Sequence, residues 1–167
     1  MRSYGDPCTD LQDVGELMAR DITVIPYEPK HLLLLRDIRD EMGPFEVTPK
    51  HAVAFGEWGP AWTGLVGDEL IGCCGIGVQW PGMAKIWMFT TRAVDVHRVA
   101  FFQLFRDAIM PMFQKLNLHR VEAEVALDAP DSWHRWMAGL GFAIECRKKQ
   151  YGPGRQDYLG WVWLRED

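Results

Sequence analysis

The chain has 167 residues, 48% of them hydrophobic, and this length allows one domain to bury a core without disulfide or metal staples. The formal net charge of −5 provides no broad positive field, which excludes nucleic acid as the main partner, because phosphate neutralisation dominates nucleic-acid affinity. No apolar run approaches the ~20 residues of a membrane span, and no cationic segment leads into an apolar signal core. We therefore expect a cytoplasmic protein with no membrane or nucleic-acid partner.

Hydrophobic periodicity predicts strands and helices over most of the chain after residue 20. Residues 1–20 carry only a weak helical pattern and are predicted to be an arm, so that residues 21–167 form a single domain. In chain order the predicted elements are strand 21–28, helices 31–42 and 48–58, strands 61–66, 70–79 and 84–90, a long helix 96–116, strand 121–127, a helix from about 128–132 to 139, and strands 143–151 and 158–164.

Proline and glycine mark the boundaries of these elements. Pro81 and Gly82 occupy the central positions of a type II turn, so the strands on either side should be antiparallel and complete a three-stranded meander. Pro111 lies inside the long helical pattern and is predicted to kink or break it. Residues 152–154 read Gly-Pro-Gly and predict a hairpin between the last two strands.

The four cysteines, at positions 8, 73, 74 and 146, lack the paired spacing of a zinc site. Cys73 and Cys74 are neighbours in a predicted strand, and adjacent strand residues point to opposite faces of a sheet. The two thiols therefore cannot share one metal ion. We expect reduced cysteines and no metal cofactor.

The order of elements resembles the fold of the Gcn5-related N-acetyltransferases (GNATs). Local features agree: a long helix directly after the meander, then the alternating strand 121–125, then Asp128, Ser132 and the Leu-Gly-Phe sequence at 140–142. The resemblance covers residues 21–164 in topology and residues 86–142 in motif. It implies an α/β (α+β) fold with a central mixed, mostly antiparallel sheet of six to seven strands flanked by helices.

The resemblance implies an acetyl-CoA co-substrate in the wedge between strands 84–90 and 121–127. Backbone groups of residues 86–90 would pair with the pantetheine arm. The N-terminus of the long helix would hold the pyrophosphate, because unpaired N–H groups and the helix dipole favour an anion. The residues implied to bind acetyl-CoA are Trp87, Met88, Phe89, Thr90, Arg92, His97, Arg98, Val99, Asp128 and Trp136.

The predicted phosphate turn departs from the GNAT pattern. Asp95 and His97 stand near the positions of the usual glycines, where side chains would crowd the phosphates and the Asp95 carboxylate would repel them. Asp95 has an alternative role as the N-cap of the long helix. Arg92 and Arg98 are available to pair with phosphate.

Two residues are candidates for the chemistry that the resemblance implies. Glu124 is the candidate base that takes a proton from the amine, and Glu122 on the same strand face and an ordered water are the alternatives. Ser132 is the candidate that protonates the leaving thiolate or hydrogen-bonds the CoA. The tyrosine that often serves as general acid in GNATs is absent, and Trp136 and Met137 lie nearby. The alternatives are ordinary solvent-facing carboxylates on the strand and a helix-capping role for Ser132.

A narrower resemblance implies a different function. The irregular phosphate turn, the strand 86–90 and the segment 105–110 are similar to small GNAT-like proteins of short-tailed phages, and this resemblance implies a virion or assembly protein in the host cytoplasm or the virion. An acetyltransferase acting on a small-molecule or protein amine, such an assembly protein and a small-molecule-binding module all stay open. An exposed subset of the eight tryptophans would mark a protein partner.

Overall fold

A mixed sheet of seven strands forms the centre of the computed structural model, which describes residues 21–39 and 46–166. The predicted arm, residues 1–20, and Cys8 within it lie outside the described residues. The strands are β1 Thr23–Pro26, β2 Ala61–Val66, β3 Glu69–Trp80, β4 Met83–Thr90, β5 Arg120–Ala126, β6 Ala143–Lys148 and β7 Tyr158–Leu164. Their order in the sheet is β1-β2-β3-β4-β5-β7-β6. Every neighbouring pair is antiparallel except β4 and β5, which confirms the predicted mixed, mostly antiparallel sheet.

Helices cover both faces of this sheet. In the described part of the chain the α-helices are α1 Pro29–Leu34, α2 Pro49–Glu57, α3 Arg98–Leu104, α4 Pro111–Lys115 and α5 Asp131–Gly139. Leu32 of α1 and Ala52 of α2 are buried with Cys73 against one face. The other helices and Cys74 pack on the opposite face, so the prediction that the two thiols point apart is confirmed. Burial raises the pKa of the Cys73 thiol to about 11, which suits a core residue rather than a nucleophile.

The turn between β3 and β4 also fixes the start of β5. Gly82 has φ +90°, a value that glycine adopts without strain and that the third position of a type II turn requires. The Gly82 carbonyl accepts hydrogen bonds from the backbone N–H groups of His119 (2.8 Å) and Arg120 (3.1 Å). A Cβ atom at Gly82 would lie 2.3 Å from the His119 ring. The Gly82 turn therefore holds the start of β5 next to β4.

The predicted long helix is divided into several parts. A 3₁₀ turn, Arg92–Asp95, follows β4, and α3 begins at Arg98 rather than at residue 96. A π-helical turn, Phe105–Ile109, comes next, and α4 begins at Pro111. Proline lacks an N–H group and its ring clashes with the preceding turn, so the predicted break at Pro111 is confirmed.

Two other predicted boundaries were wrong. The first helix ends at Leu34, because Asp37 has φ +53° and Ile38 forms an antiparallel bridge with Thr91 beyond β4. Residues 40–42 of that prediction lie outside the described residues. The strand predicted for 143–151 ends at Lys148, because Gln150 has φ +52° and its N–H group donates to the Asp157 carboxylate at 2.8 Å. The predicted hairpin between β6 and β7 is confirmed.

Candidate active site

The parallel strands β4 and β5 separate soon after they meet. Only three residue pairs join them: Met83 with Arg120, Ala84 with Val121, and Lys85 with Glu122. β4 continues to Thr90 with β3 on its other edge, and β5 continues to Ala126 beside β7. Among the described residues, the backbone edge of β4 after Lys85 therefore has no strand partner on the β5 side, and a wedge opens between the two strands.

A cavity of about 280 Å³ occupies this wedge. Met88, Phe105, Trp133, Trp136 and Met137 line it on the face that carries α3 and α5. Phe55, Trp87 and Phe89 line it on the opposite face, next to the β6–β7 loop residues Tyr151 and Pro153. Since its walls come from both faces, the cavity crosses the sheet at the point where β4 and β5 part.

The direction of backbone groups along β4 shows which of them face the wedge. The Thr91 N–H group donates to Ile71 of β3 at 2.9 Å, on the edge away from β5. Backbone groups alternate in direction along a strand, so the N–H and C=O groups of Ile86, Met88 and Thr90 point towards the wedge. One of these groups, the Thr90 carbonyl, accepts a hydrogen bond from the backbone N–H group of Arg39 at 3.1 Å.

Glu124 lines the cavity from β5, and its carboxylate is paired with two lysines. The Oε1 atom accepts hydrogen bonds from Lys148 Nζ at 2.7 Å and from Lys85 Nζ at 3.2 Å. Burial alone would raise the pKa of the Glu124 carboxyl, but the hydrogen bond from Lys148 and the charges of both lysines outweigh it and lower this pKa. The carboxylate is therefore ionised at neutral pH and weakly basic.

Comparison with known proteins identifies the fold. No family model and no curated protein matches the chain. Among solved structures, Ard1 from Thermoplasma volcanium aligns with a TM-score of 0.74 at 17% identity, covering 88% of this chain and 99% of its own. The ribosomal-protein-S18-alanine N-acetyltransferase from Escherichia coli aligns with a TM-score of 0.69 at 13% identity, covering 86% and 93%. A chimera of the Vibrio cholerae spermidine N-acetyltransferase SpeG with hSSAT aligns with a TM-score of 0.64 at 19% identity, covering 86% and 95%.

This chain has the GNAT fold. Two of these neighbours are named N-acetyltransferases, and at such low identities the likeness establishes only the fold of this chain. Within residues 21–39 and 46–166, no three His, Cys, Asp or Glu side chains are grouped so that they could hold a metal ion. No helix in the same ranges is both long and apolar enough to cross a membrane.

The residues predicted for the site fall into two groups in this GNAT fold. Trp87, Met88, Phe89, Trp136 and Glu124 come together around the cavity. The others lie outside its lining: Thr90 is buried, His97 is half-buried, and exposed positions are held by Arg92, Arg98, Val99, Asp128 and Ser132. Ser132 is the second residue of α5, and Pro130 occupies the N-cap position, so the alternative that Ser132 caps this helix was wrong.

The turn after β4 uses several of its own N–H groups. The N–H groups of Val94, Val96 and His97 donate to carbonyls of Thr91, Ala93 and Val94 within the turn, at 3.1–3.2 Å. The first helical bond of α3 runs from Phe101 N–H to His97 O at 2.9 Å. The amides of residues 98–100 precede it, and an α-helix leaves such amides without an internal partner. These three amides are therefore candidates for a backbone contact with phosphate.

Asp95 does not cap α3, so that alternative was wrong. The N-cap residue is His97, and the Asp95 carboxylate pairs instead with the guanidinium group of Arg39. Arg39 was not among the predicted site residues, because the helical pattern of residues 31–42 assigns it no special role. The sequence analysis also missed Phe55, Tyr151 and Pro153, which reach the cavity from elements distant in sequence.

Proposed function

We propose that this protein transfers an acetyl group from acetyl-CoA to an amine. The observation that carries the proposal is the cavity that crosses the sheet where β4 and β5 part. Such a passage allows two substrates to approach one point from opposite faces of the sheet. Its volume, about 280 Å³, is near the lower end of the ~300–1,000 Å³ range of ligand pockets.

The side of the cavity next to α3 and α5 fits the acyl carrier. Ile86 and Met88 present backbone groups that can pair with the amides of a pantetheine arm, as an added strand would. Phe105, Trp133 and Trp136 provide apolar contact beside them. When bound, acetyl-CoA supplies an activated acetyl group in the form of a thioester. Strand edge and aromatic side chains together would orient it towards the middle of the wedge.

Glu124 is the one carboxylate among the described residues that line the cavity. Efficient general bases have a pKa near the working pH, and the two lysines keep the Glu124 pKa low. We therefore assign Glu124 the binding and orientation of the neutral acceptor amine. The amine nitrogen would bond to the acetyl carbon as the thioester C–S bond breaks, CoA would leave as the thiolate, and the amine proton would reach this thiolate through water. Ser132 lies at the exposed start of α5, outside the cavity lining, so we assign it no role in the transfer.

The opposite side of the cavity favours an amine attached to an apolar or aromatic group. Phe55, Trp87, Phe89 and Tyr151 line this side. A polyamine would require several acidic partners, whereas the cavity lining in the described chain offers Glu124, which two lysines already engage. Apolar contact, rather than charge, is therefore the main source of acceptor affinity.

The assembly-protein hypothesis expects a wedge filled by tryptophan side chains or by the N-terminal arm, and the arm lies outside the described residues. Trp87, Trp133 and Trp136 instead line an open cavity, which favours a ligand-binding role. Trp58 and Trp80 are 49% and 59% exposed, and they are the surface aromatics that a protein partner would use.

The test is a titration with acetyl-CoA by calorimetry, together with release of free CoA thiol in the presence of a panel of arylalkyl amines and polyamines. We expect acetyl-CoA to bind and arylalkyl amines to be acetylated in preference to polyamines. Met88→Trp, which would fill the wedge, should abolish binding. Met110→Trp is the matched control, because Met110 is also half-buried against the same core but lies outside the cavity lining. Absence of heat at millimolar acetyl-CoA would refute the proposal.

A further inference from the structure

The segment after α1 crosses the mouth of the wedge. Ile38 forms a bridge with Thr91, and the Arg39 N–H group donates to the Thr90 carbonyl. Both contacts are on the edge of β4 that faces β5. The segment therefore covers the outer end of the strand edge, and Ile86 and Met88 remain further inside.

The Arg39 side chain joins the two walls of this mouth. Its guanidinium group donates to the Asp95 carboxylate in the turn after β4. The same group lies over the ring of Trp133, 5.2 Å from the ring centroid, and Trp133 belongs to α5 and lines the cavity. Arg39 is thus a cation between α5 and the turn that precedes α3.

Burial differs sharply between the two charged partners. Arg39 is 9% exposed, whereas the Asp95 side chain is 64% exposed. A buried guanidinium group needs an anion, because leaving it without one costs far more than leaving an exposed carboxylate in water. The diphosphate of CoA carries two negative charges, against one on a carboxylate, and its oxygens accept the guanidinium fork in a bidentate manner. A phosphate that reaches this point can therefore replace Asp95.

We infer that Arg39 binds a phosphate group of acyl-CoA and that Asp95 occupies the phosphate position in the ligand-free protein. This inference rests on the proposed function for the identity of the ligand. The inference explains why a carboxylate occurs in the turn where phosphate would bind. Arg39 balances the charge of the Asp95 carboxylate until the ligand binds. The inference also predicts that Asp95 competes with the ligand, so that its removal strengthens binding.

The experiment compares CoA with pantetheine, which lacks the pyrophosphate and the nucleotide, by calorimetry on the full chain. Arg39→Gln should weaken CoA binding about 10–100-fold and leave pantetheine unchanged, as expected for the loss of charge-assisted hydrogen bonds. Asp95→Asn should strengthen CoA binding about 3–10-fold, because it removes the competing anion. The matched control is Asp107→Asn. Asp107 pairs with the exposed Arg106 outside the cavity lining, so this change should leave both affinities unaltered.

Two results would overturn the inference. One is a folded Asp95→Asn variant with unchanged or weaker CoA affinity, and this variant remains informative even if Arg39→Gln does not fold. The other is an equal loss of CoA and pantetheine affinity in Arg39→Gln.

Inorganic diphosphate separates this inference from the proposed function. If Asp95→Asn binds diphosphate in an Arg39-dependent manner while acetyl-CoA does not bind, the anion site stands and the proposed function fails. If acetyl-CoA binds and neither variant alters its affinity, the proposed function stands and the anion site fails.

Discussion

Lys148 donates a hydrogen bond of 2.7 Å from its Nζ atom to the Oε1 atom of Glu124, the carboxylate that lines the wedge. The same Nζ atom lies 4.7 Å from the centre of the Tyr151 ring, at the other side of the cavity. Lys148 therefore links β5 to the β6–β7 loop and holds both in place around the acceptor side.

The lowered pKa of Glu124 predicts an acid-sensitive contribution to stability. A carboxyl group whose pKa is lower in the folded than in the unfolded protein stabilises the fold above its unfolded pKa, about 4.3 for glutamate, and this stabilisation is lost as the pH falls through the folded pKa. We expect Glu124→Gln to lower the free energy of unfolding by about 1–3 kcal/mol at pH 7. The difference from the wild type should shrink below about pH 4. Urea unfolding at both pH values measures it, and a difference independent of pH would contradict this assignment.

The same substitution predicts a selective loss of catalysis. Glu124→Gln should lower kcat/KM for acetyl transfer about 10–100-fold, because the acceptor amine loses a charged hydrogen-bond partner, while the dissociation constant of CoA changes little. Glu122→Gln is the matched control. Glu122 lies on the same face of β5 and pairs with Arg120 at 2.7 Å, but it does not line the cavity. Equal effects of the two substitutions would show that Glu124 acts only through the fold.

The exposed arginines of the turn after β4 should contribute less than Arg39. Replacing Arg92 and Arg98 together by Ala is expected to weaken CoA binding about 2–30-fold, because ion pairs of exposed side chains are worth ~0.2–1 kcal/mol each. The affinity for pantetheine should not change. Raising the salt concentration should reduce the difference between the double variant and the wild type. A parallel loss of pantetheine affinity would indicate that these arginines act through folding.

The Trp87 indole packs against Gly75 of β3, where a larger residue would displace the ring. A Cβ atom at Gly75 would lie 2.6 Å from Trp87 Nε1, so Gly75→Ala must displace a buried ring that lines the cavity. We expect a loss of about 1–3 kcal/mol in the free energy of unfolding and weaker acceptor binding. Gly64→Ala is the control, because its Cβ would meet Ile71 at an ordinary 3.5 Å. Thermal unfolding of both variants measures the contrast, and similar melting temperatures would contradict this role of Gly75.

The sequence predicts the strands well and, through the GNAT resemblance, the position of the wedge, but it does not predict the side-chain contacts within the wedge. Alternating apolar residues and turn signals depend on near neighbours, so they locate all seven strands of the described chain and the break at Pro111. The partners of Glu124 depend on long-range contacts, since Lys85 and Lys148 lie 39 and 24 residues away in the chain. Arg39 was not predicted as a site residue because the helical pattern continues past Leu34, whereas the helix ends there and the Arg39 backbone N–H group donates to Thr90 at the edge of β4.

The short contact between β4 and β5 divides the sheet mechanically. One leaf comprises β1 to β4, the other comprises β5 to β7, and three residue pairs beside the Gly82 turn join them at one end. A small rotation about this joint widens the far end of the gap without breaking a backbone hydrogen bond inside either leaf. The hinge of this rotation is Met83–Lys85. The contacts of Arg39 with Asp95 and Trp133 join the two leaves at the opposite end of the gap.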